Sequence, residues 1–404
     1  MADMTNHERE EEGRLLLLAN ATVVLRDETL EGGSVLVEGE RIARVSAGDG
    51  GAERRGGARV IDCAGLTLMP GFVDVHIHGA VGVDTLDAGA EDLRRVARFL
   101  ASRGVTAWLP TLVPAPVADY RRAVAAVEEL MRSPAQGEAR AVGLHYEGPF
   151  VNERQCGALR TEFFRSYRTA ADLDDLPTLG APGAAHMITL APEVEGGVAL
   201  VGELVRRGWV VSIGHTRAGV EVLERARAAG ARHMTHFPNA MLPLHHRAPG
   251  PVGWGLLADD VTVDLIADGV HCDPLLVRLV LRCKTAERVS LISDAVAPAG
   301  LGDGEYRVWG ETITVSGGRT SNERGSIAGS VIHLLDAVRL VSGLGVPAHE
   351  VARMASLNPA RLVGLGEECG SVEEGKRADL VALDREGRAR LTLVGGRPAY
   401  SNLG

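Results

Sequence analysis

Eight β-type runs, each ending in a polar residue, constrain this chain more than any other feature. They are FVDVHIHG (72–79), TAWLPTLV (106–113), ARAVGLHYEG (139–148), HMITLAPE (186–193), WVVSIGHT (209–216), HMTHFPNA (233–240), VTVDLIADG (261–269) and VSLISDAV (289–296). Amphipathic helical stretches lie between most of them. AEDLRRVARFLASRG places apolar residues at helical spacing and stops at Gly104; VEVLERARAAG and PLLVRLVLRCK read the same way. Eight strand-then-helix units over about 250 residues are the arithmetic of an α/β chain folded as a (β/α)8 TIM barrel. A doubly wound open sheet is the rival, but no GxGxxG follows the first run.

The two ends of the chain have a different texture. LLLLANATVVL and GGSVLVEGERIARVSA read as short strands, with a hairpin turn at Glu38-Gly39-Glu40-Arg41. ADLVALD (378–384) and LTLVGGRPAY (391–400) return to that texture. The expectation is a small β-sandwich domain from both termini, residues 1–69 and 366–404, with the barrel at 70–365 inserted between them. Residues 1–13 read as disordered, and the loop GDGGAERRGGA as mobile.

Composition excludes some classes of function. The 43 basic and 53 acidic side chains give a net charge of −10, so no basic excess exists for nucleic acid or an anionic membrane. A small anionic substrate stays open, because a few local arginines outweigh a global field. The apolar run at 15–19 is too short for a signal or a span. Cys63, Cys156, Cys272, Cys283 and Cys369 form no CxxC pair and read as reduced thiols, so a cytoplasmic protein is expected.

Catalytic groups of a barrel sit at the C-terminal ends of its strands. Polar residues collect there: His76 and His78, Glu147, His215, His236, Asp268 and His271, and Asp294. For any one of these alone, a histidine bonded to backbone or a carboxylate capping a helix is the bland reading. Their shared position on most of eight strands argues otherwise. His76-x-His78 puts both imidazoles on one face of a strand, since side chains alternate with period 2. A lone HxH is weak; followed by a glutamate and two more strand-end histidines it is a strong sign of a divalent cation. Nitrogen and carboxylate ligands favour zinc, with iron, cobalt or manganese as alternatives, over magnesium. Asp294 beside such an ion is placed to act as general base, because the ion lowers the pKa of its water toward about 7.

PGFVDVHIHG, HYEGPF, TLAPE, IGHT, THFPNAM, LHHRAPG, ADGVHCD, SDAVAPAG, GSIAGS, SLNPARLVGL and ADLVALD, in order from about Val60 to Asp384, resemble the amidohydrolase superfamily. More narrowly they look like the N-acetylglucosamine-6-phosphate deacetylase family. PGFVDVHIHG and ADLVALD mark only the superfamily; EGPF, THFPNAM with LHHRAPG, and ADGVHCD are more specific. The resemblance implies Glu147, His215 and His236 as main metal ligands and His76 and His78 as a pair supporting a second position, hence one or two ions per chain. It implies Asp294 as acid/base. It implies substrate contacts at Asn239 and Ala240, at Arg247 and His271 toward the sugar or its phosphate, and at a closing loop, Ile327, Ala328, Gly329 and Ser330. It also implies a homodimer, with the phosphate end of the site near the partner chain.

Arginine suits a phosphate through its paired, charge-assisted hydrogen bonds. His245 and His246 read as solvated loop residues. The only lysines are Lys284 and Lys376, so the carboxylated lysine that bridges two metals in cyclic-amidase relatives has no counterpart, and Glu147 is the available substitute. One departure stands out. The family follows EGPF with a Gly-Ala-His or Gly-Ala-Gln element, expected to touch substrate; here it reads Gly157-Ala158-Leu159. Leucine donates no hydrogen bond, and losing one transition-state donor costs about 2.7–4 kcal/mol. A second ion at His76/His78, Arg160 from a shifted loop, or a different acylated sugar would account for it. The expected reaction is hydrolysis of the acetamide of N-acetyl-D-glucosamine 6-phosphate. The alternatives are deacetylation of another amino sugar, such as N-acetylgalactosamine 6-phosphate, and a non-catalytic sugar-phosphate-binding relative.

Overall fold

The computed structural model describes residues 15–48 and 57–403. The expectation of disorder at 1–13 lies outside these residues, and so does most of the loop expected to be mobile. Each of the eight runs overlaps a strand, in order: Phe72–Ile77, Val105–Leu112, Gly143–Glu147, Ala185–Leu190, Val210–Ile213, His233–Met234, Thr262–Leu265 and Val289–Leu291. Seven parallel ladders join first to second through to seventh to eighth. The last seam is closed by single bonds: the Asp294 N–H donates to the His76 carbonyl at 2.9 Å and the His78 N–H to the Ala295 carbonyl at 2.8 Å. The arrangement is a near-closed TIM barrel.

The helices follow the sequence periodicity. Ala90–Ala101 buries Leu93, Val96, Ala97 and Leu100, three and four apart, and carries Glu91 and Asp92 in its first turn, where the helix dipole favours acids. Pro274–Lys284 starts with Pro274 behind an Asp273 cap and ends on Arg282 and Lys284. The unit after the third strand departs from the repeat. Residues 149–184 hold three short 3-10 turns at Glu153–Gln155, Thr161–Phe163 and Ala170–Leu173, and no α-helix. Pro149, Pro177 and Pro182 punctuate that stretch, of which residues 157–159 reach the cavity at the C-terminal mouth of the barrel. A second insertion follows the eighth strand, the three-stranded meander Gly304–Val308, Glu311–Ser316 and Arg319–Ser321.

Strands from both chain ends share one eight-stranded sheet. Thr29–Glu38 and Arg41–Ser46 pair antiparallel through the expected turn, with Glu38 opposite Arg41. Leu380–Leu383 pairs with Thr67–Pro70, stitching the C-terminal strands to the N-terminal ones. Leu16, Leu18, Val23, Val35, Val37, Leu380, Leu391 and Leu393 form that sheet's own buried cluster. Inside the barrel Val73, Val75, Leu109, Met187, Ile266 and Ile292 pack with Ala360 and Val363. Among the described residues no helix is long and apolar enough to cross a membrane.

Candidate active site

His76 and His78 converge as their spacing requires, their Nε2 atoms 3.2 Å apart. Glu147 ends the third strand and faces four imidazoles. Its Oε1 lies 3.0 Å from His215 Nε2, 3.0 Å from His236 Nε2 and 3.5 Å from His76 Nε2, and its Oε2 lies 3.2 Å from His78 Nε2. The Nε2 atoms of His215 and His236 are 3.2 Å apart. Two groups suited to a metal ion therefore share one carboxylate: His76, His78 and Glu147, and Glu147, His215 and His236. Asp294 Oδ1 stands 3.3 Å from both His76 Nε2 and His78 Nε2. All six side chains are buried.

The ring orientations bear on what this cluster could hold. His78 Nδ1 lies 3.2 Å from the Thr111 carbonyl and His215 Nδ1 2.7 Å from the Gln155 carbonyl. A carbonyl only accepts, so each Nδ1 carries a hydrogen and each ring turns its Nε2 inward, where it meets either a proton or a metal ion. Lone pairs and a carboxylate crowded within hydrogen-bond distance repel unless a cation lies among them. The donor set, imidazole nitrogens around a shared glutamate, fits a divalent transition ion. The electrostatics point the same way. Burial pushes His78 down, but the Asp294 and Glu147 carboxylates outweigh it and lift it to about 10. Burial likewise raises Glu147, yet the surrounding histidines hold it well below the usual carboxylate range. The site favours positive charge.

Backbone strain builds part of this geometry. His215, His236 and Asp294 all lie in the left-handed region, with φ of +47°, +35° and +49°, just past the ends of the fifth, sixth and eighth strands. Non-glycine residues there are strained, and such strain concentrates at functional sites. Gly329 lets the 326–330 segment cross Asp294: a Cβ would sit 2.6 Å from Val296 Cγ1 and 2.8 Å from the Asp294 carbonyl oxygen, at a φ of +58°.

A cavity of about 330 Å³ opens over the cluster, lined by His78, Glu147, His215, His236 and Asp294 and, among the expected substrate contacts, by Ala158, Leu159, Asn239, Ala240, His271, Ile327 and Gly329. His271 is oriented by Asp268, whose Oδ2 is 2.7 Å from Nδ1. Three expected contacts lie elsewhere. Ala328 and Ser330 alternate with Ile327 and Gly329 and face away: Ala328 packs on Ala297, Val308 and Ile313, and Ser330 donates to the Ser293 carbonyl at 2.5 Å. Arg247 is exposed on the loop between the sixth strand and the helix Gly250–Leu257, its Nη1 2.8 Å from His246 Nε2. His245 and His246 are exposed, as expected. Arg160 does not substitute for a donor at Leu159, since its guanidinium lies over the Phe163 ring and donates to the Pro114 carbonyl at 3.2 Å. Lys284 donates to the Ala258 carbonyl and Lys376 to the Gly366 carbonyl and Ser371, so neither lysine serves the cluster.

Two residues escape the sequence reading. His145 lies beneath His76, ring centroids 4.6 Å apart, and its Nε2 is 2.8 Å from Thr189 Oγ1 in a chain that runs on to Thr235 and Ser212. The His145-x-Glu147 spacing carries the same period-2 signal as His76-x-His78. Trp309, from the inserted meander, lines the cavity and meets His78 edge-on. Nothing in its spacing marks it.

The amidohydrolase family model matches residues 67–399. The chain belongs to the amidohydrolase family. Within it, the chain is 36% identical to the N-acetylglucosamine-6-phosphate deacetylase of Vibrio furnissii, over 85% of each chain. It is 37% identical to the N-acetylgalactosamine-6-phosphate deacetylase of Escherichia coli O157:H7, over 78% of this chain and 83% of that one. The fold matches a mutant N-acetyl-D-glucosamine-6-phosphate deacetylase of Mycobacterium smegmatis, solved with N-acetyl-D-glucosamine-6-phosphate. That match has a TM-score of 0.87 and 32% identity, covering 96% of this chain and all of the other. These likenesses span the barrel and the terminal sheet together, so this amidohydrolase shares a whole architecture with its relatives.

Proposed function

We propose that this amidohydrolase cleaves the acetamide of N-acetyl-D-glucosamine 6-phosphate, giving acetate and D-glucosamine 6-phosphate. The observation that carries the reading is Glu147 shared between two histidine pairs, with Asp294 within 3.3 Å of one pair. Glu147, His215 and His236 would hold the principal divalent ion, zinc on the chemistry of its ligands, and His76 and His78 with Glu147 a second. The ion, when bound, supplies Lewis acidity toward the acetyl carbonyl and makes water acidic enough to attack near neutral pH.

The chain's own groups do the rest. Asp294 takes the proton from the attacking water as its oxygen bonds to the acetyl carbon. The same carboxyl then gives that proton to the amide nitrogen as the carbon–nitrogen bond breaks, so the amine leaves neutral. Asn239 and His271 bond the sugar, His271 fixed by Asp268. Arg247 binds the phosphate. Its exposed position supports a homodimer in which the phosphate end of the site lies near the partner chain. The five free cysteines support action in the cytoplasm.

A second reading is deacetylation of N-acetylgalactosamine 6-phosphate. The 37% identity to a relative of that name and Leu159 at a usually polar position favour it. Acetate release from the two epimeric phosphates and their non-phosphorylated forms, with metal analysis of the same sample, tests both. Turnover of the glucosamine epimer at the highest kcat/KM is expected. Preference for the galactosamine epimer would install the second reading, and no acetate from any phosphorylated sugar in a metal-replete sample would sink both.

A further inference from the structure

The meander inserted after the eighth strand turns at Trp309-Gly310. Val308 pairs with Glu311, and φ is +54° at Trp309 and +82° at Gly310. Two successive positive φ values in a two-residue hairpin loop mark a turn in which asparagine, aspartate and glycine are favoured. A bulky aromatic residue there runs against local preference, and departures of this kind gather at functional sites. The ring has a specific place. It lines the cavity and packs edge-on against His78, centroids 5.3 Å apart and planes at 83°. Its indole N–H is buried and meets no acceptor at hydrogen-bond geometry among the described residues, so packing alone holds the ring.

The cavity is chemically divided. Asn239 and His271 lie together on one side: Asn239 Nδ2 is 3.6 Å from the sulfur of Cys272, the next residue after His271. Trp309 and Ala158 pack on the same apolar cluster, Ala297, Val308, Ile313 and Ala328, and Leu159 follows Ala158 into the cavity wall. Arg324 Nη2 donates to the Ala158 carbonyl at 3.0 Å, tying the insertion to the 156–159 loop. A scissile amide carbon must lie within reach of Asp294, and Asp294 lies 3.3 Å from the His78 nitrogen whose ring Trp309 abuts. A hydroxyl-rich sugar takes the polar side, so the acyl substituent projects onto the apolar wall.

We propose that Trp309 sets the length of the acyl group removed, its indole and Leu159 walling a pocket that takes an acetyl methyl and excludes longer chains. This rests on the deacylase reading above. The test measures kcat/KM for carboxylate release from N-acetyl-, N-propionyl- and N-butyryl-glucosamine 6-phosphate. It compares the metal-replete parent with Trp309→Gly, Trp309→Asn and Trp309→Phe. Glycine and asparagine are residues the turn favours, so both variants are expected to keep the hairpin, and either alone suffices. The readout is the acetyl-to-butyryl ratio. It is expected to be about tenfold or more in the parent, from the cost of unaccommodated methylenes. It closes to within about threefold in the glycine and asparagine variants through a gain on butyryl, and is kept by phenylalanine. An unmoved ratio in a variant that melts like the parent, or a parent that does not discriminate, overturns the role of Trp309 while leaving deacetylation standing. A parent that releases no acetate from any acylamino sugar phosphate overturns the functional reading, and this inference with it.

Discussion

The backbone N–H of Asp294 donates to the carbonyl of His76 at 2.9 Å, and the Asp294 carboxylate lies 3.3 Å from the His76 ring nitrogen. The seam that closes the barrel therefore also sets the distance between the proposed proton carrier and the histidine pair. The Ser330 N–H, at 2.7 Å from the Asp294 carbonyl, holds the residue from the other side. Asp294→Asn keeps this backbone frame and the side-chain shape but removes the base. We expect kcat for acetate release to fall about 10²–10⁴-fold with metal content unchanged. A metal-replete variant that turns over near the parent rate would show the proton moving by another route.

Glu147 is the one carboxylate common to both histidine pairs. Glu147→Gln should lower bound metal at both positions together, whereas His76→Ala should lower it at one and spare the Glu147, His215 and His236 group. Metal-to-protein ratios by elemental analysis check this. Retention of a full complement by Glu147→Gln would mean the ions are held elsewhere. The same geometry predicts a stability effect. Since the inward-facing lone pairs repel without a cation, a chelator should lower the melting temperature, by the equivalent of about 4 kcal/mol if metal is present at a thousand times its dissociation constant. Histidine variants at 215 or 236 should be less sensitive to the chelator than the parent.

How far the sequence reveals this site depends on which geometry each residue uses. His76 and His78 are legible because a two-residue spacing puts their rings on one face, but the register shift between Asp74 and Ile77 that turns that face inward past Val73 and Val75 is not. Glu147 is legible because it ends a strand. His215, His236 and Asp294 are legible only as polar residues near strand ends; the left-handed turns that swing them inward leave no mark in composition or periodicity. Ile327 and Gly329 face the cavity while Ala328 and Ser330 do not, and a motif match alone does not show which residues of a segment bent at Gly329 turn inward. The barrel's order is legible from eight apolar runs. The missing helix after the third strand and the meander carrying Trp309 are insertions, set by loop chemistry rather than by the repeat.

Arg247 stands on an exposed loop, so its proposed contact with the phosphate is separable from the chemistry at Asp294. Arg247→Ala should raise KM for the phosphorylated substrate about tenfold or more, the loss of a charge-assisted pair costing about 1.5–3 kcal/mol, while kcat changes little. Steady-state kinetics on phosphorylated and non-phosphorylated acetylamino sugars check it. An equal loss on both would assign Arg247 to folding or assembly rather than to the phosphate.

Lys284 offers a prediction about stability rather than catalysis. It ends the helix Pro274–Lys284 only 1% exposed, its Nζ donating to the Ala258 carbonyl at 2.5 Å. Burial, helped by the positive charge of Arg288, pushes its pKa down from 10.5 to about 8. Between those values the unfolded chain carries a proton on this lysine that the folded chain has lost. Unfolding then takes up protons, and the lysine's contribution to stability rises with pH across that window. Below pH 8 both states are charged, and the native state bears the full cost of a buried ammonium, on the order of 3 kcal/mol at about 1.4 kcal/mol per unit. Lys284→Met removes that cost but leaves the Ala258 carbonyl without its donor, a loss of about 1 kcal/mol. The variant should thus be more stable than the parent at pH 7 by about 1–2 kcal/mol, with the difference vanishing as pH climbs toward 10 and then reversing. Denaturant unfolding of both proteins at pH 7, 8.5 and 10 measures the difference directly. A gap that stays constant with pH would show that Lys284 titrates alike in the folded and unfolded chains.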